Sequence, residues 1–489
     1  MPLPAGEVRV RLGPDEDVDS GLLARLGSVC PEVSTDAGQR TEAGRDWWPL
    51  AMIWARSAEV PARPAVIARP RRAAEVAAVL RVANEAEVPV TATAGRSGVC
   101  GAAIPVFGGI ALDMTGLAGV VAVDDRSLLI DVLPGTWGDS LEDDLRRSHS
   151  LTLGHWPQSM ALSTVGGWVA CRSAGQYSTR YGKIEDMVVG LEVALADGSL
   201  VHTGGSAPRA AVGPDLTSLF VGSEGTLGVV TRARLRAHPL PPAEQRGAWL
   251  FQSFEAGLDA CRRILRRGAT PAVLRLYDEV ESKRSFALDS GHALIVLDEG
   301  DEGLVEATMA VVAGECAGAG AAGLDHGLVE RWLEHRNDVS ALALAVNNDI
   351  VVDTCEVAAR WSVLPGLYRD AVAALREVPG TWAASAHQSH AYRDGACLYF
   401  TFAGQREGDG ADRYYVEAWD AVIRSTLTHG GAISHHHGVG LHRGRFLAEA
   451  LGPAFTSLVA LKAALDPHGI LNPGKLALPS PFGPGVPWP

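Results

Sequence analysis

No apolar run in the 489 residues approaches the roughly 20 needed to cross a bilayer, so no membrane span is expected. The N-terminus, MPLPAGEVRVRLGPDEDVDS, has no basic region followed by an apolar core, and no signal peptide is expected. The seven cysteines are odd in number and scattered, with no CxxC pair, which excludes a disulfide framework and points to a reducing compartment, the cytoplasm. Positive charge is in deficit. A net charge of −14 argues against nucleic acid or an anionic membrane surface as partner, though not against a local basic pocket. What remains is 47% hydrophobic and 20% charged, the balance of a soluble globular enzyme with two or three domains. The abundance of Ala, Arg and Gly points to a GC-rich bacterial genome.

The stretch from Gly154 to Gly205, GHWPQSMALSTVGGWVACRSAGQYSTRYGKIEDMVVGLEVALADGSLVHTGG, organises the chain. Its first half is rich in small and hydroxylated residues (Ser159, Ser163, Thr164, Gly166, Gly167, Ser173, Gly175), which let a backbone approach a large flat ligand. Its second half reads as a hairpin, Met187 to Ala196 and Ser199 to Thr203, turning at Asp197-Gly198. Upstream, an apolar stripe at Val76, Val79, Leu80 and Ala83 predicts a helix over Arg71 to Glu87. A strand from Val88 then enters the glycine-rich TAGRSGVCGAAIP, a nest of N–H groups suited to a pyrophosphate. Prolines after His238 mark a boundary, followed by a new alternation of strands and helices. Among these, strands are expected at Ala272 to Tyr277, Ala383 to Ser389 and Ala396 to Ala403, and helices at Glu255 to Arg267 and Ala411 to Thr428. They suit a mostly antiparallel sheet with helices on one face. Residues 1–58 form a helical preamble whose Trp47, Trp48 and Trp54 either line a channel or, the simpler reading, dock it on the body. The Pro/Gly-rich tail PSPFGPGVPWP is expected to be extended or disordered.

GHWPQSMALSTVGGWVACRSAGQYSTRYGKIEDMVVG resembles the FAD-binding core of the vanillyl-alcohol-oxidase-type flavoproteins, and of these the alkylglycerone-phosphate synthase branch most. VGSEGTLGVVTRARLRAHPLP, DGACLYFTFA and SHHHGVGLHR agree. The resemblance implies an α+β fold: a two-part PCMH-type FAD-binding domain (59–242), an α+β cap with an antiparallel sheet (243–440), and a C-terminal segment (441–489) returning to the FAD domain. It also implies FAD held without a covalent bond by three stretches. The first is Thr91, Ala92, Thr93, Ala94, Gly95, Arg96 and Ser97. The second is Gln158, Ser159, Ser163, Thr164, Gly166, Gly167, Cys171, Arg172, Ser173 and Ala174. The third is Glu224, Gly225, Thr226, Leu227, Gly228, Val229 and Val230, acting chiefly through backbone atoms. Arg96 departs from the family's usual small residue and could bond a phosphate. His155 matches a histidine that the synthases keep without a flavin bond.

Proton handling near neutral pH suits histidine, or a phenol whose pKa is lowered. His435-His436-His437 is the first candidate; if extended, His435 and His437 share one side and at most two of the three face the flavin. By resemblance Tyr399 is the acid/base tyrosine and Arg275 an active-site arginine able to hold a carboxylate or phosphate. Arg336 is the candidate for a second arginine if an insertion follows it. Related dehydrogenases bind a divalent ion, for which Glu356, His387, His390 and His435 or His437 would be ligands. Tyr399 occupies one expected histidine position and HHHG replaces the usual glutamate, so no metal is expected. The expected activity is hydride transfer from an alcohol or 2-hydroxy acid to flavin N5. The alternatives are a redox-neutral, synthase-like exchange at N5 and a flavoprotein without catalysis. The partner is a small molecule; a homodimer is left open.

Overall fold

The computed structural model describes residues 8–339, 346–348, 350–405 and 410–486. Three sheets carry the molecule. A four-stranded sheet runs Val33–Ser34, Val66–Ala68, Ile110–Asp113, Val90–Thr93, parallel except at its first pair. Helix Ala73–Glu85 buries Val76, Val79, Leu80 and Ala83 against it, the stripe expected from the sequence. A five-stranded antiparallel sheet runs Leu200–Gly204, Val188–Ala194, Val229–Arg236, Leu129–Val132, Val120–Asp124. The expected hairpin forms its edge. The chain then returns late. Val90 donates to Ile470 O at 2.8 Å and accepts from Asn472 N at 2.7 Å, so the segment LDPHGILNPGK docks on the four-stranded sheet.

The third is a seven-stranded antiparallel sheet: Ala322–Leu324, Ala243–Phe251, His292–Gly300, Val273–Tyr277, Thr381–Ala391, Gly395–Gly404, Val351–Arg360. Side chains alternate across a strand, and the two faces differ. Leu274, Leu276, Ala384, Ala386, Leu398, Phe400, Phe402, Cys355 and Val357 enter one core beneath helices Phe254–Arg266, Glu302–Gly318, Leu364–Glu377 and Gly410–Thr428. Val273 and Tyr277 face the other way, toward Tyr177 of the FAD-binding half and helix Gly327–His335. That second face carries the site.

Trp48 is fully buried and donates to Tyr415 Oη at 3.2 Å, while Trp54 donates to Asp412 at 2.9 Å. The tryptophans dock the preamble on helix Gly410–Thr428, as the simpler reading held. Up to Val486 the tail is not loose, contrary to expectation: Phe482 lies 6.2 Å from Phe107 and Val486 packs on the main core. Residues 487–489 lie outside the described residues. Strand Val351–Arg360 and helix Glu279–Phe286 were not expected from the sequence. No single helix among the described residues is long and apolar enough to cross a membrane.

Candidate active site

Cross-strand register lines up four residues on the sheet's second face: Tyr277 opposite His387, His387 opposite Tyr399, and Tyr399 opposite Glu356. The His387 ring is stacked between the two phenols, 5.2 Å from Tyr277 and 5.0 Å from Tyr399. Arg275, two residues before Tyr277, donates from Nε to Tyr277 Oη at 3.0 Å and from Nη2 to His387 Nε2 at 2.8 Å. A guanidinium only donates, so Nε2 is the acceptor and Nδ1 bears the proton. That proton faces Glu281 Oε2 at 2.7 Å. Burial would raise the Glu281 carboxyl, but His387, Arg284 and the Thr401 hydroxyl hold it down at about 2. Glu281, His387 and Arg275 thus form a buried line that fixes one cation.

Tyr399 Oη accepts from Thr354 at 3.3 Å and meets His437 Nε2 at 3.1 Å. Burial pushes its phenol up, so it is a phenol at neutral pH and donates to the imidazole. The histidine loop is gathered by one carboxylate. Glu356, fully buried, accepts from the His437 amide at 2.7 Å, Ser434 Oγ at 3.0 Å, the His435 amide, and Arg443 Nη1 at 2.8 Å. Arg443 is itself fully buried.

The segment does not meet the condition of being extended, under which His436 would point away. The loop is bent, His435 and His436 touch through their Nδ1 atoms at 2.9 Å, and both His436 and His437 pack on Tyr399. The three rings form one contiguous group, His435 against His436 at 5.2 Å and His436 against His437 at 4.5 Å. Two of the residues weighed as ligands for a metal are engaged otherwise, Glu356 with Arg443 and the loop amides, and His387 with Arg275 and Glu281. Among the described residues, the histidine nitrogens close enough to share an ion belong to His390, His435 and His436, within 4.8 Å of one another. His390 Nδ1 is already bonded to Ser178 Oγ at 2.7 Å, and the His435 Nε2 to Tyr392 Oη at 3.0 Å.

Burial lowers His435 and His436 to about 3 and His437 to about 4, from 6.5. Below pH 6.5 the unfolded chain takes up protons that the native trio refuses, so stability falls as pH drops from 6.5 toward 4, by up to about one proton per ring. Thermal melts across that window should show the fall, and His435→Asn should make it shallower by one ring's share.

The three glycine-rich stretches converge beside this loop. A Cβ on Gly95 would lie 2.3 Å from Leu162 O, so the first stretch runs against the second. A Cβ on Gly225 would sit 3.8 Å from that of Ala92, joining the third to the first. Glu224, at φ +51°, accepts the amides of Val439 at 2.6 Å and Gly440 at 2.8 Å, tying the third stretch to the histidine loop. Cys171 reaches the same loop, 3.7 Å from a Cβ on Gly438. Arg96 and Arg172 also hold left-handed conformations.

This cradle fits FAD: it is narrow, shaped by glycine, and presents the Thr93 and Thr164 hydroxyls, buried and without a protein partner. Thr91 is buried, Ala94 and Ser97 are half-buried, and Arg96 has no partner among the described residues. Other hydroxyls are spent internally, Ser163 between Ser159 O and Trp168 Nε1, Thr226 on Ser223 O, and Ser173 on His155 Nε2 at 2.8 Å. Gln158 is exposed and bonds Asp338 O, and the Arg172 side chain turns outward to Glu185. Gly166 packs on Pro134, while Gly167, Ala174 and the run Leu227, Gly228, Val229, Val230 frame the turns. We expect Gly95→Val, which must push the Leu162 carbonyl, to weaken FAD affinity roughly tenfold or more in a titration of apoprotein.

Comparison with known proteins agrees. Residues 64–204 match the "FAD binding domain" family and residues 240–476 "FAD linked oxidases, C-terminal domain". The FAD-linked oxidoreductase YgcU of Escherichia coli O157:H7 is 30% identical over 433 residues, 84% of this chain and 89% of that one. This chain is an FAD-linked oxidase family member. Its cofactor is FAD.

Two further relatives of the FAD-linked oxidase bear on its chemistry. The alkyldihydroxyacetonephosphate synthase of Dictyostelium discoideum is 29% identical over 463 residues, 87% of this chain. The glycolate oxidase subunit GlcD of Bacillus subtilis is 28% identical over 433 residues, 84% of this chain and 89% of that one. The synthases are longer: the chain spans 75% of the Dictyostelium one and 65% of that from Trypanosoma brucei brucei. A solved alkyldihydroxyacetonephosphate synthase superposes with TM-score 0.79 at 25% identity, over 95% of this chain and 87% of that one.

Sequence reasoning missed Glu281, Arg443 and Tyr392, and considered Glu356 and His387 only as ligands of a metal it did not expect. Arg336 stands 5.6 Å from the Trp332 ring, whose neighbour on the other count is Arg275 at 5.4 Å. Trp156 and Tyr177 also flank Arg336, at 5.2 and 5.1 Å.

Proposed function

We propose that this FAD-linked oxidase oxidises a small alcohol carrying an acid group, a 2-hydroxy acid, with hydride passing to the flavin. One observation carries this: Arg275, locked by His387 and Glu281, lies one stacked ring from Tyr399, which is hydrogen-bonded to a neutral histidine. FAD, when bound, supplies the hydride acceptor at N5. Arg275 spends Nε and Nη2 on Tyr277 and His387, leaving Nη1 for the substrate's carboxylate. The substrate hydroxyl gives its proton to Tyr399 as Tyr399 gives its own to His437 Nε2. The C–H bond breaks as hydride, the C–O bond becomes a carbonyl, and the proton rests on His437. His437 Nδ1 stands 3.6 Å from Glu356, a carboxylate that favours the imidazolium so formed. The likeness to a glycolate oxidase subunit supports the acid class.

A second reading, redox-neutral exchange on a phosphate ester, is supported by Arg336: a second guanidinium sharing Trp332 with Arg275 suits a doubly charged head group. Anaerobic visible spectra separate the two. Bleaching of the flavin by single 2-hydroxy acids is the expected result; acyl release from an acylated dihydroxyacetone phosphate, with no bleaching by any alcohol, would overturn it. We place the reaction in the cytoplasm, a reading supported by seven cysteines that are all free thiols.

A further inference from the structure

On the helix-covered side of the large sheet, a cavity of about 490 Å³ is lined by Arg262, Arg266, Arg267, Gly268, Trp361 and Arg393. It shares no residue with the active site, and among the described residues no carboxylate lines it. Asp259 is shared by Arg262, at 2.7 Å, and Arg263, and Glu315 by Arg263 and Arg267, at 2.8 and 3.2 Å. Arg266 and Arg393 are exposed and have no acidic partner among the described residues. The carbonyl end of helix Phe254–Arg266 offsets part of the charge of its last arginines. The surplus that remains is carried by Arg266 and Arg393. In a chain of net charge −14 this is a local inversion of sign.

Guanidiniums gathered from a helix end and from the turn between strands Thr381–Ala391 and Gly395–Gly404 repel one another. Their forked donors match phosphate oxygens two at a time. Trp361 completes the wall. Its indole Nε1 donates to Tyr392 O at 2.9 Å and its ring packs against the main core, so it is a fixed flat surface. We infer that this cavity binds a small anion carrying two or more phosphates, either free polyphosphate or a nucleotide whose base lies against Trp361.

The test titrates FAD-loaded protein at low ionic strength with pyrophosphate and, separately, with ATP, read by calorimetry and by tryptophan fluorescence. Filling the cofactor site beforehand removes it as a competitor. We expect saturable 1:1 binding that weakens steeply with salt. Charge-assisted bonds convert to roughly tenfold or more in affinity, so Arg266→Ala with Arg393→Ala should lose at least that, and Arg393→Gln alone a smaller factor. Binding should survive Arg275→Met, which separates this cavity from the active site. ATP binding tighter than pyrophosphate would identify the base as part of the ligand; equal affinities would identify polyphosphate. No saturable binding, binding unchanged in the double variant, loss in Arg275→Met, or equal binding of citrate would overturn the inference.

Discussion

Tyr399→Phe is expected to slow flavin reduction by roughly 10²- to 10⁴-fold, the usual worth of a positioned acid–base group. FAD should stay bound. The phenyl ring keeps its packing on His387, His436 and His437, so what is lost is the hydroxyl between Thr354 and His437 Nε2. The affinity for the acid should hardly move, because Arg275 is fixed from the other side by His387 and Glu281. Rapid-reaction kinetics separate the two quantities. A fall in affinity with an unchanged limiting rate would show that Tyr399 binds and does not relay protons.

Glu356→Gln should be the most destabilising single change near the site. It leaves Arg443, fully buried, without its counter-charge, and breaking one member of such a pair costs about 3–5 kcal/mol. The amide nitrogen of glutamine would also face backbone donors that now point at the carboxylate, from His435 and His437. Denaturant unfolding measures the loss. Adding Arg443→Met should restore part of it, since the orphaned charge goes too, while the histidine loop stays loosened and flavin reduction slow. A double variant less stable than either single one would contradict the pairing.

Much of this was legible in the sequence. The three glycine-rich stretches declare themselves by composition alone, and the structure brings them together around Gly95, Gly225 and Glu224. Tyr399 and Arg275 lie on strands whose alternation is visible. What could not be read are the pairings across the chain. Glu281 sits on a short charged helix that looks solvated, EVESKRSF, and its meaning comes from His387, 106 residues away. The strand VVDTCEVAAR hides its alternation because Asp353 and Glu356 break both faces with charge. The bend of the histidine trio could not be read because nothing local says that a carboxylate 79 residues upstream gathers its amides. Local pattern gives the elements; buried charge, paired over long range, gives the site.

The most direct test is anaerobic reduction of the FAD-loaded enzyme by a 2-hydroxy acid, compared with the same acid deuterated at the carbon bearing the hydroxyl. The account predicts that the flavin bleaches and that deuterium slows the bleaching, because that C–H bond breaks as hydride goes to N5. A flavin that stays oxidised with every hydroxy acid offered would contradict it.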